Sequence, residues 1–194
     1  MKRLFDIGAS AFGLVALAPV FVLVGVLIWL GDRGPVFFRQ ERIGRHGVPF
    51  RIHKFRTMRQ ANTGSLVTSA NDDRITAVGR FLRKSKLDEL PQLIDVLKGD
   101  MSIVGPRPEV AKYVALWGEE ARSEILKVRP GISDPAAIAY RNEQEELAAA
   151  EDPEQHYVEV ILPRKVAMYR DYVRNRSFIG DLKLIFETFA AILR

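Results

Sequence analysis

The longest run of the chain without a charged residue lies near its N-terminus, from Ala11 to Leu30. A continuous helix of this length rises about 30 Å, which matches the hydrocarbon core of a bilayer. Pro19 lies near the middle, where its missing N–H and crowded preceding turn favour a kink at Ala18-Pro19. The pattern predicts a membrane segment, either one spanning helix with a tolerated proline or a re-entrant hairpin broken at Pro19.

Basic residues flank this run on both sides. They are Lys2 and Arg3 before it, and Arg33, Arg39, Arg42 and Arg45 after it. Since positive charge tends to stay on the cytoplasmic face, both ends favour the same side of a membrane. No small-x-small cleavage site precedes Gly31-Asp32, so the pattern favours a retained segment over a cleaved signal peptide.

The remainder of the chain predicts a short hairpin followed by helices. Strand-like runs at 36–38 and 50–52 flank turn chemistry at 45–47, and the polar stretch 59–73 predicts a surface loop. Helical periodicity then predicts helices over 76–85, 91–98, 109–127 and 156–175, with Gly99 ending the second. The acidic run at 143–146 is typical of a solvated helix face.

A last helix is predicted after Ser177, which can cap it. Apolar residues then recur at helical spacing, at Ile179, Leu182, Ile185, Phe186, Phe189 and Leu193. With basic residues just upstream, this pattern fits an amphipathic helix in a membrane interface, although a core-facing helix has the same pattern. Together the elements predict an α+β fold that is mainly helical.

Composition and charge limit the partners and the kinds of active site that this chain can have. The 194 residues are 47 % hydrophobic and carry a formal charge of +5, which suits an anionic partner: nucleic acid, lipid headgroups or a phosphorylated substrate. There is no cysteine and the three histidines are scattered, which excludes disulfides and disfavours a zinc site, while a hard ion such as Mg²⁺ stays open. Neither a P-loop nor a serine elbow is present.

The densest candidate for chemistry is the segment 80–93, in which basic residues lead into Asp88-Glu89. Pro91 favours the first turn of a helix, so this acidic pair is predicted at or just before a helix N-terminus. An ionised carboxylate there could attack phosphorus if nearby cations neutralised the phosphate. The candidates for these cations are Arg74, Arg80, Arg83, Lys84 and Lys86. The alternative is structural, because 85–88 also fits a capping box.

Two further clusters could hold phosphate. Arg107 lies in a turn rich in glycine and proline, at 99–108, where its guanidinium could bind phosphate through two hydrogen bonds. Lys54 and Arg56 flank Phe55 at the end of the predicted hairpin. Both patterns also fit structural roles, a rigid turn for the first and an exposed strand face for the second.

Taken in order, these pieces resemble one family, the small monotopic phosphoglycosyl transferases, or bacterial sugar transferases. The motifs that carry the resemblance are Lys2-Arg3 with Asp6, the apolar hairpin with its proline, Pro35-Val36, Gln40, Arg42 and Gly44, 54–58, 73–76 and Gly79, 88–93, and 99–108. They run in order from residue 2 to about residue 135.

This resemblance implies a re-entrant membrane hairpin at 1–33, broken at Pro19, and a cytoplasmic catalytic domain at 34–194 with interfacial C-terminal helices. It implies a location at the bacterial inner membrane, facing the cytoplasm. With no further membrane domain ahead of Met1, the chain is expected to be the minimal catalytic form. A terminal apolar helix would permit a homodimer, and no nucleic-acid partner is expected.

The resemblance also implies a reaction. Asp88 would attack the sugar-bearing phosphorus of a UDP-sugar, release UMP and carry the phosphosugar until undecaprenyl phosphate attacks it. Glu89 would complete a catalytic dyad with Mg²⁺, for which both carboxylates are candidate ligands. Arg83, Arg107 and, as a weaker candidate, Lys54 would lie near the phosphates.

The chain departs from the commoner family pattern after Ser133. Asp134-Pro135 stands where many relatives continue with a Gly-Trp-Ala-Gln type sequence, so nucleotide and sugar contacts of that loop are not carried over. The sugar and the pathway stay open. A non-catalytic membrane adaptor, with Asp88 only a helix cap, is the rival from another functional class.

Overall fold

The structure, a computed structural model, describes residues 1–59 and 72–193. The described part is mainly helical, as predicted. In chain order its elements are α1 (Lys2–Ala16), α2 (Ala18–Asp32), β1 (Phe37–Ile43), β2 (Pro49–Phe55), α3 (Ala77–Lys84), α4 (Gln92–Lys98), β3 (Ser102–Val104), α5 (Ala111–Val114), α6 (Glu119–Ile125), β4 (Gly131–Ser133), α7 (Pro135–Ala139), α8 (Glu143–Ala149), α9 (Pro153–His156), α10 (Leu162–Asn175) and α11 (Phe178–Leu193). The predicted surface loop at 59–73 lies outside the described residues except at its two ends.

The N-terminal helix pair is bent by 60° between α1 and α2. The break is at Leu17, and Pro19 occupies the first turn of α2, where its missing N–H costs no helical hydrogen bond. The predicted bend at Ala18-Pro19 is therefore confirmed to within two residues. Among the described residues no single helix is long and apolar enough to cross a membrane. The bent pair of α1 and α2, taken together, meets the requirement by length and composition alone.

The first helix begins at Lys2, well before the apolar run, because its first turns bind the globular part. Arg3 donates to the carbonyls of Val96 (2.6 Å) and Leu97 (3.0 Å) at the end of α4. Asp6 accepts hydrogen bonds from the Ser102 hydroxyl (2.8 Å) and the Ile103 N–H (3.2 Å). The start of α1 thus contacts the same body that follows α2.

The hairpin is confirmed within the predicted stretch 35–58, and its strands are longer than the strand-like runs 36–38 and 50–52. Strands β1 and β2 pair antiparallel from Phe37 opposite Phe55 to Ile43 opposite Pro49, with the turn at Arg45–Gly47. Strand β2 buries Ile52 and Phe55. Since side chains alternate along a strand, Lys54 points to the other face of the hairpin from Phe55.

The predicted single helix over 109–127 is wrong. Two short helices, α5 and α6, replace it, because Gly118 adopts an extended conformation between them (φ −56°, ψ 149°) after the buried Trp117. The parallel pair of β3 and β4 was also not predicted, since three-residue strands show no alternation that a pattern can reveal.

The other predicted helices are present. The Thr76 hydroxyl caps α3 by accepting the Gly79 N–H (2.9 Å), and Gly99 ends α4 in the left-handed conformation (φ 98°). The helix predicted over 156–175 begins at Pro153 and includes a π-helical turn, Tyr157–Ile161. The Ser177 hydroxyl accepts the Gly180 N–H (3.0 Å) at the start of α11, as predicted. The largest buried cluster in the described part of the chain lies between α5, α6, α7, α8 and α10 and includes Trp117, Tyr157 and Tyr169.

Candidate active site

Asp88 and Glu89 lie in a 3₁₀ turn, Leu87–Glu89, directly before α4. Their predicted position at a helix start is therefore correct, although Leu90 is helical because the 3₁₀ turn runs into α4. The capping-box alternative is wrong. The Ser85 hydroxyl instead donates back to the carbonyls of Phe81 (2.8 Å) and Leu82 (3.2 Å) in α3.

Glu89 is only 9 % exposed and is bound by two cations. Lys54 donates to its Oε1 at 2.8 Å, and Arg107 binds both carboxylate oxygens, with Nη1 3.2 Å from Oε2. Burial alone would raise the pKa of Glu89, but the charges of Arg107 and Lys54 outweigh it and hold that pKa well below the ordinary value. Glu89 is therefore ionised and anchors both cations.

Asp88 is also 9 % exposed, but its surroundings differ. Its Oδ1 is buried and has no hydrogen-bond partner in the described part of the chain. Burial raises the pKa of Asp88; Lys54 opposes this rise, and the neighbouring Glu89 charge adds to it. Asp88 thus has a buried carboxylate oxygen that no described protein group satisfies.

The three predicted phosphate-binding residues come from distant segments and reach one cavity. Lys54 at the end of β2, Arg83 on α3 and Arg107 after β3 all line it, together with Lys86. The expectation that Lys54 lies on an exposed strand face is wrong, because its side chain is only 17 % exposed and pairs with Glu89. Of the other basic residues suggested nearby, Arg80 and Lys84 are exposed and do not line the cavity, and Arg74 pairs with Asp72.

The cavity has a volume of about 220 Å³ and a strongly basic wall. Seven basic and two acidic side chains line it, and four tyrosines and Gln144 complete the polar lining. Those that the sequence did not single out as functional residues are Arg42, Glu109, Tyr113, Tyr140, Arg141, Glu143, Tyr157, Lys165 and Tyr169. Glu109 directly follows the Pro-Arg-Pro turn of Arg107, and this adjacency was the available signal for it.

Buried ion pairs and hydrogen bonds fix these side chains. Glu109 accepts a hydrogen bond from the Tyr157 hydroxyl at 2.8 Å and lies 3.4 Å from Arg42 Nη1. Lys165 pairs with Glu143, so the acidic run on α8 is not only a solvated face, as predicted, but also part of the cavity wall.

Asp134, where the chain departs from the family pattern, is fully buried. Its Oδ1 accepts the Ala137 N–H at 2.8 Å and so caps α7. Burial raises the pKa of Asp134 to about 6, although the Arg107 charge opposes the rise. The Asp134-Pro135 pair therefore starts a helix beside the cavity.

Of the two carboxylates, only that of Asp88 has an oxygen left for a magnesium ion that arrives with a phosphate ligand. Mg²⁺ is commonly held by one or two carboxylates together with substrate phosphates and water. Asp88 Oδ1 has no partner among the described residues, whereas both oxygens of Glu89 are occupied by Lys54 and Arg107, which leaves Glu89 a poor candidate ligand. No group of three or more acidic or histidine side chains able to hold a metal occurs among the residues described.

Comparison with known proteins shows to which protein family the chain belongs. The family model of the bacterial sugar transferases matches residues 1–194, so the chain belongs to this family. It is 37 % identical over 193 residues to the UDP-glucose:undecaprenyl-phosphate glucose-1-phosphate transferase of Escherichia coli (strain K12), covering 97 % of this chain and 39 % of that protein.

Two further relatives cover the whole chain. The uncharacterized sugar transferase EpsL of Bacillus subtilis (strain 168) is 37 % identical over 193 residues, with 87 % of its own length covered. The UDP-N-acetylgalactosamine-undecaprenyl-phosphate N-acetylgalactosaminephosphotransferase of Aeromonas hydrophila is 36 % identical over 199 residues, with 44 % of its length covered. The chain thus spans less than half of the length of the Escherichia coli and Aeromonas hydrophila proteins, whose names state a reaction.

Proposed function

We propose that this protein transfers a sugar 1-phosphate from a UDP-sugar to undecaprenyl phosphate, giving undecaprenyl-diphosphate-sugar and UMP. The observation that carries the proposal is the buried Asp88 carboxylate, whose Oδ1 has no partner among the described residues, next to Glu89, which binds two of the cations that line the cavity. The reactions named for the Escherichia coli and Aeromonas hydrophila relatives supply the substrate class.

The cations would position and neutralise the diphosphate of the donor. Lys54, Arg83, Lys86 and Arg107 line the same cavity, and Arg107 and Lys54 are held by Glu89. Preorganised positive charge in a site of low dielectric stabilises the charge that develops when phosphate bonds break. Glu89 acts in this scheme as the anion that fixes two of these cations.

Asp88 would act as the nucleophile in the first of two steps. A carboxylate oxygen attacks the sugar-bearing phosphorus, an O–P bond forms, and the bond between that phosphorus and the bridging oxygen breaks as UMP leaves. In the second step a phosphate oxygen of undecaprenyl phosphate attacks the same phosphorus, and the aspartyl O–P bond breaks. The carboxylate is thereby regenerated.

A bound Mg²⁺ would neutralise part of the diphosphate charge, and Asp88 is the residue best placed to hold it. The ionised state of Asp88 matters for both roles. The positive charges of Lys54 and Arg83 oppose the effect of burial on its pKa and so favour the carboxylate.

The N-terminal helix pair would be re-entrant and anchor the protein at the inner membrane. Contacts of Arg3 with α4 and of Asp6 with β3 support this, because they place the start of α1 beside the body that follows α2. Exposed apolar side chains support contact with lipid: Leu4, Phe12, Val15, Val22, Leu23 and Leu30 on α1 and α2, and Ile179, Phe186 and Phe189 on α11. The homodimer stays a prediction.

The substitution Asp88→Asn tests the mechanism. We expect it to abolish UMP release from UDP-sugars in the presence of undecaprenyl phosphate and Mg²⁺, and to abolish the phosphosugar adduct seen by intact-protein mass spectrometry. Asp171→Asn, at an exposed residue on α10, is the matched control and should keep both. Normal UMP release by a folded Asp88→Asn protein would contradict the proposal.

A further inference from the structure

A buried polar contact joins strand β2 to helix α4, one residue before Lys54. Asp95 on α4 is fully buried, and its Oδ2 accepts the backbone N–H of His53 at 2.8 Å. Its Oδ1 lies 2.5 Å from the ring nitrogen Nδ1 of His53. A carboxylate accepts hydrogen bonds, so Nδ1 is the donor of this contact. One carboxylate thus binds His53 twice, through the main chain and through the ring.

The main chain of Asp95 is itself held, so its carboxylate is a rigid point of attachment. Its carbonyl oxygen accepts the N–H groups of residues 99–101 at 3.1, 3.0 and 3.2 Å. Arg3 donates to the next two carbonyls, those of Val96 and Leu97, and so ties this end of α4 to α1. The helix is therefore the fixed partner, and β2 is the element that the contact positions.

Apolar packing between the same elements does not fix their position in this way. Ile52 on β2, Val96 on α4 and Met101 before β3 form a buried cluster that holds the strand close to the helix. The hydrophobic effect is non-directional, so it tolerates a small sliding movement along the strand. Hydrogen bonds weaken steeply with distance and angle. The contacts of Asp95 therefore determine where β2 lies along α4.

The position of β2 decides where the Lys54 ammonium lies. Lys54 directly follows His53, and its Nζ is 2.8 Å from Oε1 of Glu89, in the turn directly before α4. The cation and its partner carboxylate thus belong to the two elements that the Asp95 contact joins. A shift of β2 along α4 would move the ammonium away from Glu89 and from the neighbouring Asp88.

We propose that His53 and Asp95 are positioning residues of the active site, which fix the Lys54 ammonium against the acidic pair Asp88-Glu89. This inference rests on the proposed function for the role of Lys54 as a phosphate-binding cation. In the described part of the chain Lys54 lines the cavity, whereas His53 and Asp95 do not, so both residues act through Lys54. Neither residue was singled out from the sequence.

Two substitutions of Asp95 separate its hydrogen bonds from its packing. Leucine is similar in size but has no acceptor, whereas the asparagine carbonyl can accept the His53 N–H and its amide can donate to the other ring tautomer. We expect UMP release to fall at least about tenfold in Asp95→Leu and to stay within about threefold of the wild type in Asp95→Asn. Asp171→Leu, at an exposed site, should match the wild type. Wild-type rates in folded Asp95→Leu protein would overturn the proposal.

A double-mutant cycle with Lys54→Met shows whether Asp95 acts through Lys54. The Lys54→Met protein has already lost the group that Asp95 positions, so adding Asp95→Leu should lower UMP release by no more than about twofold. A merely structural role would lower the rate by the same factor in both backgrounds. That additive result would refute the inference.

The pH–rate profile supplies a readout that a merely structural role would not move. Burial raises the pKa of Asp88, and Lys54 gives the largest opposing effect. The other charged groups that act on Asp88 are Glu89, Arg83 and Lys86. A displaced Lys54 lets this pKa rise further, so the acid limb should move to higher pH in Asp95→Leu, as in Lys54→Met. A limb that stays in place would contradict the positioning role.

Pyrophosphate binding repeats the cycle without turnover. Calorimetric titration of the full chain with inorganic pyrophosphate should show similar losses of affinity in Asp95→Leu and Lys54→Met, and no further loss beyond about twofold in the double variant. This pattern without UMP release by the wild type contradicts only the proposed function. Additive losses with normal UMP release contradict only this inference.

A second pair of variants keeps the test decisive if Asp95→Leu does not fold. The His53 side chain is 12 % exposed, and asparagine at this position can place an N–H close to the site of Nδ1, whereas leucine cannot. UMP release should then be at least about threefold lower in His53→Leu than in His53→Asn. Equal rates in these two proteins would overturn the proposal.

Discussion

Asp88 and Glu89 are neighbours in one turn, yet their carboxylates have different surroundings. Both are 9 % exposed, but Glu89 is bound by Lys54 and Arg107, whereas Asp88 Oδ1 has no partner among the described residues. The pKa of Glu89 is lowered and that of Asp88 is raised. Environments that separate the pKa values of two adjacent acids are typical of sites in which the acids have different roles.

The raised pKa of Asp88 predicts a pH dependence for UMP release. A nucleophilic carboxylate must be deprotonated, so the rate should fall on the acid side at a pH above the ordinary aspartate value of 3.8. Lys54→Met removes a charge that lowers this pKa, so the acid limb of the pH–rate profile should move to higher pH. Lys183→Met, at an exposed lysine on α11, should leave the limb in place. A shift of the Lys54→Met limb to lower pH would contradict this account.

At the scale of elements, long periodic segments could be predicted and short ones could not. The hairpin, α3, α4 and α11 follow from patterns that extend over several residues. Strands β3 and β4 have three residues each and exist because they pair with one another across 26 intervening residues, from Val104 to Gly131. The break at Gly118 was missed because the apolar spacing continues across it.

The residues of the candidate site also differ in whether the sequence could single them out. Asp88, Glu89 and Arg107 belong to dense local motifs and could be singled out from the sequence. Arg42, Glu109 and Tyr169 come from β1, the turn before α5, and α10, and only the fold brings them to one cavity. Each of them has an ordinary local context, so only the resemblance drew attention to Arg42, and nothing in the sequence indicated a shared role.

The pairing of β3 with β4 positions Arg107 and depends on a close approach of two glycines. A Cβ added to Gly131 would lie 2.0 Å from the backbone nitrogen of Gly105. Gly131 is itself paired with Ser102 in the sheet, so its backbone cannot move aside without breaking that pairing. We expect Gly131→Ala to lower the free energy of unfolding by about 3 kcal/mol, because the strands must separate. Gly8→Ala, on α1 with nothing within 4 Å of the added Cβ, should be neutral or slightly stabilising. Thermal unfolding in detergent measures both; equal midpoints would contradict this reading of the sheet.

At the scale of the whole molecule, apolar and charged surfaces are segregated. Most of the exposed large apolar side chains lie on α1, α2 and α11, the exceptions being Met1, Phe37, Phe38, Val48, Phe81 and Leu116. The basic cavity is formed instead by β1, β2, α3, α5, α7, α8, α10 and the segments between them. Lys2 on α1 pairs with Asp181 on α11, which joins the first and last helices. In the proposed function the apolar surface would face lipid and the basic cavity would bind phosphate, which are the two properties that transfer to a lipid-linked phosphate requires.

The path of the chain through the membrane gives the last prediction. Contacts of Arg3 with Val96 and of Asp6 with Ser102 hold the start of α1 on the body that follows α2. A straight helix over the same residues would instead separate its ends by about 45 Å, at 1.5 Å per residue. We therefore expect both ends of the pair on the same, cytoplasmic face of the membrane.

Single cysteines can test this topology because the natural chain has none. A cysteine added before Lys2 and the exposed-site variant Glu151→Cys should both react with a membrane-impermeant maleimide in inside-out vesicles, and neither should react in right-side-out vesicles. Val22→Cys, on the apolar surface of α2 and 67 % exposed from the protein, should react only after detergent is added. Labelling of the N-terminal cysteine from the opposite face to Glu151→Cys would establish a spanning helix. The contacts of Arg3 and Asp6 could not then exist in the membrane-bound protein, because one helix cannot cross the bilayer and return its first turn to the body from which it leads.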